Sequence, residues 1–160
     1  MKNGSAAAFE FKANGNYINS MLALNEAISG GAEEALLLDN EGYVAEGSGE
    51  NIFIMRDGVL HTPELTSCLE GITRATIMDF ARELNIPIKE RRITRDEVYI
   101  ADEAFFTGTA AEVLPIRELD GRVIGAGKRG PVTEKLQAMY FDAVKGKLAE
   151  HSGWLTHVKG

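Results

Sequence analysis

The chain has 160 residues, 44% hydrophobic and 26% charged, with a formal net charge of −7; this fits one soluble globular unit and argues against a nucleic-acid surface, which needs clustered lysine and arginine. The single cysteine, Cys68, excludes an intramolecular disulfide and a thiol metal cluster, and His61, His151 and His157 lack metal-ligand spacing, so no metal is expected. No apolar run reaches the roughly 18 to 20 residues of a spanning helix, and the N-terminus lacks the build of a signal peptide, so a cytoplasmic protein without membrane contact is expected.

Residues 1–11 carry no usable period and read as a tail or junction. Over residues 16–28, Tyr17, Ile18, Met21, Leu22, Leu24, Ala27 and Ile28 recur at three and four, predicting an amphipathic helix closed by Gly30-Gly31 whose stripe faces a sheet. Strands are expected at 34–39, 43–45, 51–55 and 59–61, a meander with turns at Asn40-Glu41-Gly42 and Arg56-Asp57-Gly58. A loop leads to a helix over 72–84 with Ile77, Phe80, Ala81 and Leu84 on one face. Residues 87–93 alternate like a strand, on which the one basic run, Lys89-Glu90-Arg91-Arg92, reads as a solvated face. Thr94-Arg95-Asp96-Glu97 is a capping-box pattern opening a short helix, and 104–107 form a buried strand. Residues 113–117 and 122–124 are expected to pair as a hairpin, and Pro131 opens a last helix through Leu136, Met139, Tyr140 and Val144. Strands and helices mix without a regular alternation, so the expected class is α+β, or mixed α/β, with no internal repeat.

Four segments carry residue types suited to chemistry. Lys12 stands just before the first helix and is either a solvated lysine or an amine able to form a Schiff base. Glu46 ends a strand and is followed by Gly47-Ser48-Gly49; it is a surface glutamate in a glycine turn, or the carboxylate that holds a protonated pyridine nitrogen. Gly71-Ile72-Thr73 opens a helix, where free N–H groups and the positive dipole end favour a phosphate, although a simple cap explains Thr73 as well. Gly108-Thr109-Ala110 offers a hydroxyl and exposed amides suited to an anion, and is also a common turn. Cys68 reads as a loop or core thiol.

Taken in order, Lys12-x-x-Gly15-x-Tyr17, Glu46-Gly-Ser-Gly-Glu-Asn-Ile-Phe53, Gly71-Ile-Thr-Arg74 and Phe105-Phe-Thr-Gly-Thr-Ala-Ala-Glu112 resemble the fold-type IV pyridoxal-phosphate enzymes, and among them the branched-chain-amino-acid aminotransferases. The resemblance implies a mixed sheet, or barrel-like strands, with packed helices, and pyridoxal 5′-phosphate as cofactor. It implies that Lys12 carries the cofactor covalently and shuttles the proton between substrate and cofactor, that Tyr17 bonds the phenolic oxygen and that Glu46 pairs with the pyridine nitrogen. Gly49 and Leu69 would sandwich the ring, the amides of Ile72 and Thr73 with the hydroxyls of Thr73 and Thr109 would hold the phosphate, and the amides of Thr109 and Ala110 would take the substrate carboxylate.

The same resemblance implies transamination of leucine, isoleucine or valine with 2-oxoglutarate, in a homo-oligomer. Residues 12–160 correspond to the family's C-terminal, cofactor-binding domain, and the smaller N-terminal domain is expected to be absent, leaving the chain alone a weak catalyst. Two other readings are a D-amino-acid aminotransferase or aminodeoxychorismate lyase-like enzyme, and a non-catalytic module that self-associates through its former domain interface.

Overall fold

A computed structural model describes residues 17–156 of the chain. Helix α1 (Tyr17–Ser29) leads to strands β1 (Leu36–Leu38), β2 (Val44–Gly47), β3 (Asn51–Arg56) and β4 (Val59–Thr62), then to helix α2 (Ile72–Glu83). There follow β5 (Ile88–Glu90), the short helix α3 (Arg95–Tyr99), β6 (Glu103–Gly108), β7 (Glu112–Pro115), β8 (Glu118–Leu119), β9 (Arg122–Val123) and helix α4 (Pro131–Val144), with a 3-10 turn at Ala149–Trp154. The main sheet runs β5-β4-β3-β6-β7, antiparallel except for the parallel β4–β5 pair. Two small antiparallel pairs, β1–β2 and β8–β9, complete the described strands. This is the mixed-sheet form of the expected class.

Strand β3 is central because both of its faces are apolar. Alternation sends Phe53 and Met55 to one side, where Phe105, Leu60, α2 through Ile77, Phe80 and Ala81, and α4 through Leu136 cover them. Ile52 and Ile54 point the other way, into a second cluster with Val44, Ile93, Val98, Phe106 and Ile124. A strand packed on two sides reads as a continuous apolar run, as Ile52-Phe53-Ile54-Met55 does. Between β3 and β4, Asp57 and Gly58 both take positive φ, 49° and 76°, the signature of a type I′ turn whose twist suits a hairpin.

Several expectations need correction. Helix α1 forms, but none of its residues is buried, and Ile18, Met21, Leu22 and Ile28 are exposed among the described residues; periodicity reports an apolar face, not what covers it. The meander breaks between β2 and β3: β2 pairs only with β1, β3 takes β4 and β6 as its neighbours, and β5 returns parallel to β4. Residues 113–117 do not pair with 122–124: β7 lies on β6, and the hairpin is β8 with β9. Pro115 sits in that edge strand, where its missing N–H does least harm. Strand β2 runs one residue past Glu46, to Gly47. Leu84 is the C-cap of α2 and is exposed, and on α4 it is Ala143 rather than Val144 that is buried.

The basic run is only partly solvated. Arg91 donates to both oxygens of Glu97, at 2.7 and 3.1 Å, while Glu97 also completes the Thr94 capping box of α3. Hydrogen bonding from Arg91 first, with that from Thr94, holds the Glu97 carboxyl at about 2, below its ordinary 4.5. Because the folded value is the lower one, this contribution is fully present above about 4.5 and is lost as pH falls through about 2. Glu97→Gln is therefore expected to flatten the acid dependence of stability across that window in urea titrations. Wild-type and variant midpoints falling in parallel would contradict the assignment.

Candidate functional site

The β2–β3 turn, the loop before α2, the first turn of α2 and the β6–β7 turn meet at one end of the main sheet. The β3–β6 register places Asn51 opposite Thr107, so the β2–β3 turn and the β6–β7 turn lie side by side. The carbonyl of Gly49 stands 3.3 Å from where a Cβ on Gly108 would lie. The turn at Gly47–Asn51 is closed locally, the Gly47 N–H donating to the Glu50 carbonyl at 2.6 Å and the Gly49 N–H to the Glu50 carboxylate at 3.0 Å.

Two side chains bind the ends of this turn to the loop before α2. Glu46, half-buried, accepts at Oε2 from the Leu69 N–H at 3.0 Å. Asn51, buried, donates from Nδ2 to the Leu69 carbonyl at 2.7 Å. Two residues on, Gly71 is the N-cap of α2 and brings no side-chain acceptor to the helix end. The first-turn amides of Ile72 and Thr73 therefore keep donor capacity for an anion, which is what a phosphate group needs.

Arg74 anchors this helix start from the side. It is buried, its Nη2 donates to the Pro63 carbonyl at 3.0 Å and to Glu90 at 2.7 Å, and its Nε has no hydrogen-bond partner. Cys68 is enclosed beside it; burial pushes its thiol up to about 11, so it is a core thiol and not a nucleophile at neutral pH. His61, also buried, accepts at Nδ1 from Arg91 Nε at 3.1 Å, and burial followed by the Arg91 charge pushes its imidazole below the ordinary value. That arrangement needs a neutral ring.

Of the residues singled out from sequence, Glu46, Gly49, Leu69, Ile72 and Thr73 belong to these joined segments, and Thr109 and Ala110 sit exposed in the adjoining β6–β7 turn. Tyr17 is the first residue of α1, half-buried. Lys12 and His157 lie outside the described residues. Thr73 is not the N-cap; it is the second residue of the helix and is buried. The motifs contain Asn51 and Gly71 without giving either a role, because neither residue type announces a contact with the other. A groove of about 470 Å³ between α2, α4 and the 3-10 turn shares only Ile72 and Thr73 with this cluster, and its other lining includes Tyr140, His151 and Trp154. Among the described residues no group of three or more His, Cys, Asp or Glu is placed to hold a metal ion, and no helix is long and apolar enough to cross a membrane.

The model of the amino-transferase class IV family matches residues 8–119. The chain belongs to the class IV aminotransferase family. Within this family it is 72% identical over 148 residues to the branched-chain-amino-acid aminotransferase of Pseudomonas aeruginosa, covering 92% of this chain and 48% of that protein. It is 46% identical over 148 residues to the branched-chain-amino-acid aminotransferase of Escherichia coli K12, with the same coverage, 92% and 48%. Among solved structures, the branched-chain amino acid aminotransferase from Thermobaculum terrenum in its PLP-form superposes with a TM-score of 0.90 at 43% identity, covering 92% of this chain and 49% of that one. The class IV chain thus has a fold-type IV architecture, and it spans about half the length of the curated relatives it matches.

Proposed function

We propose that residues 12–160 form the cofactor-binding domain of a branched-chain-amino-acid aminotransferase, exchanging the amino group of leucine, isoleucine or valine with 2-oxoglutarate through pyridoxal 5′-phosphate. The observation that carries this reading is the joining of Glu46, Leu69 and the α2 N-terminus into one cluster. The relatives' names point the same way. The donor set fits the cofactor: a carboxylate for a protonated ring nitrogen, apolar Leu69 for a ring face, and uncapped helix amides for a phosphate.

When bound, the cofactor supplies an electron sink at the carbon that gives up or receives its proton. The chain does the rest. Lys12 holds the cofactor and moves that proton, Tyr17 donates to the phenolic oxygen, and Glu46 keeps the ring nitrogen protonated. Gly49 and Leu69 flank the ring. Ile72 and Thr73 amides, with the Thr73 and Thr109 hydroxyls, hold the phosphate, and the amides of Thr109 and Ala110 orient the substrate carboxylate. A buried, reduced Cys68 suits a cytoplasmic setting, and the exposed apolar face of α1 suits an assembled, homo-oligomeric protein.

Incubation with pyridoxal phosphate is expected to give a visible absorbance band that borohydride fixes onto the Lys12 peptide and that Lys12→Ala removes. L-Leucine, and not D-alanine, is expected to convert the bound cofactor to its amine form. A band that survives Lys12→Ala would remove the lysine's role, and no band in the wild type would overturn cofactor binding by this chain.

A further inference from the structure

We propose that Asn51 is a positioning residue for the cofactor phosphate, acting through the Leu69–Gly71 segment without touching the cofactor itself; the inference rests on the function proposed above. Asn51 opens β3 and is only 6% exposed. Its Nδ2 donates to the Leu69 carbonyl at 2.7 Å. Its Oδ1 occupies the space beside Gly71, so close that a Cβ there would overlap it. Leu69 is held from its other side as well, its N–H by Glu46 Oε2 at 3.0 Å. Both grips come from the two residues that flank the β2–β3 turn.

The consequence is geometric. Glu46 is assigned to the nitrogen end of a rigid pyridine ring and the α2 amides to its phosphate end, so their separation must match the cofactor closely, within about 0.5 Å for a preorganised site. The loop between β4 and α2 sets that separation, and Asn51 determines where the loop finishes. A carboxylate at position 51 would set oxygen against the Leu69 carbonyl oxygen, and alanine would leave that carbonyl unheld and the space beside Gly71 unfilled. Gly71 is the matching half, since any side chain there displaces the amide or the helix start.

Equilibrium binding of pyridoxal phosphate and of phosphate-free pyridoxal to the 160-residue protein separates positioning from general support. Asn51→Ala is expected to weaken pyridoxal phosphate about tenfold and to leave pyridoxal within about twofold. Gly71→Ala is expected to produce the same selective loss in the wild-type background and little further loss when combined with Asn51→Ala, because the clash is with Oδ1. Asn51→Asp, nearly isosteric, serves where alanine lowers the thermal midpoint too far, and the 31P resonance of bound cofactor is expected to differ from that of the wild type in either variant. Equal losses for both ligands, additive effects of the two substitutions, or an unchanged 31P resonance would overturn the proposal. Wild-type protein that binds pyridoxal phosphate no better than pyridoxal would defeat the phosphate-site reading, and this proposal with it.

Discussion

Glu103→Ala is expected to lower the stability of the chain by about 3–5 kcal/mol, a large share of the roughly 5–15 kcal/mol typical of a folded domain. Helix α4 begins at Gly130, which has no side chain to cap it, and at Pro131, which has no N–H to satisfy. The next two amides are taken from across the structure: Glu103, in β6, accepts from the Val132 N–H at 3.0 Å, the Thr133 N–H at 2.7 Å and the Thr133 hydroxyl at 2.7 Å. Alanine would strand three donors around a site where Glu103 is only 8% exposed and Thr133 fully buried. Glu103→Gln keeps one acceptor oxygen but turns an NH2 toward donors, so it should fall between the two. Urea unfolding followed by circular dichroism measures all three; a loss under about 1 kcal/mol for alanine would mean water replaces the cap.

Phe105→Ala is expected to cost about 3–5 kcal/mol as well, by a different route. Phe105 and Phe53 stack across the β6–β3 ladder with ring centroids 5.2 Å apart and planes 10° apart, and neither has any exposed surface. Removing one ring leaves a cavity bounded by its partner, α2 and α4, which backbone ladders on both sides prevent from collapsing. Phe53→Ala should cost a similar amount, and the double variant less than the sum, because the second truncation removes contacts already lost. Fully additive losses would show that the stack contributes nothing beyond separate burial.

Local features were legible because local chemistry decides them. Asp57-Gly58 can take positive φ in succession, Thr94 and Glu97 cap each other at the spacing that reaches, and Ile77, Phe80 and Ala81 fall on one helix face; all three are as expected. Sheet order was not legible. Nothing in residues 103–108 says that they insert beside β3, and an apolar period such as that of α1 does not name its partner. The residue types of the site stood out through Glu46, Gly71-Ile72-Thr73 and Gly108-Thr109-Ala110, yet the contact that ties two of these segments together did not. Whether Asn51 Oδ1 leaves room for a Cβ on Gly71 is a property of packing between positions far apart in the chain.

The β3–β6 ladder also orders events in time. Asn51–Met55 cannot complete their hydrogen bonding until residues 103–107 have emerged from the ribosome and crossed the intervening chain, since those residues supply the second edge. Until then an apolar strand offers a bare edge, the kind that templates misassociation, and non-local pairing of this sort is slow. The end of the sheet that gathers Glu46, Asn51 and the Gly108 turn is therefore made late, after an interval in which that edge is open to misassociation.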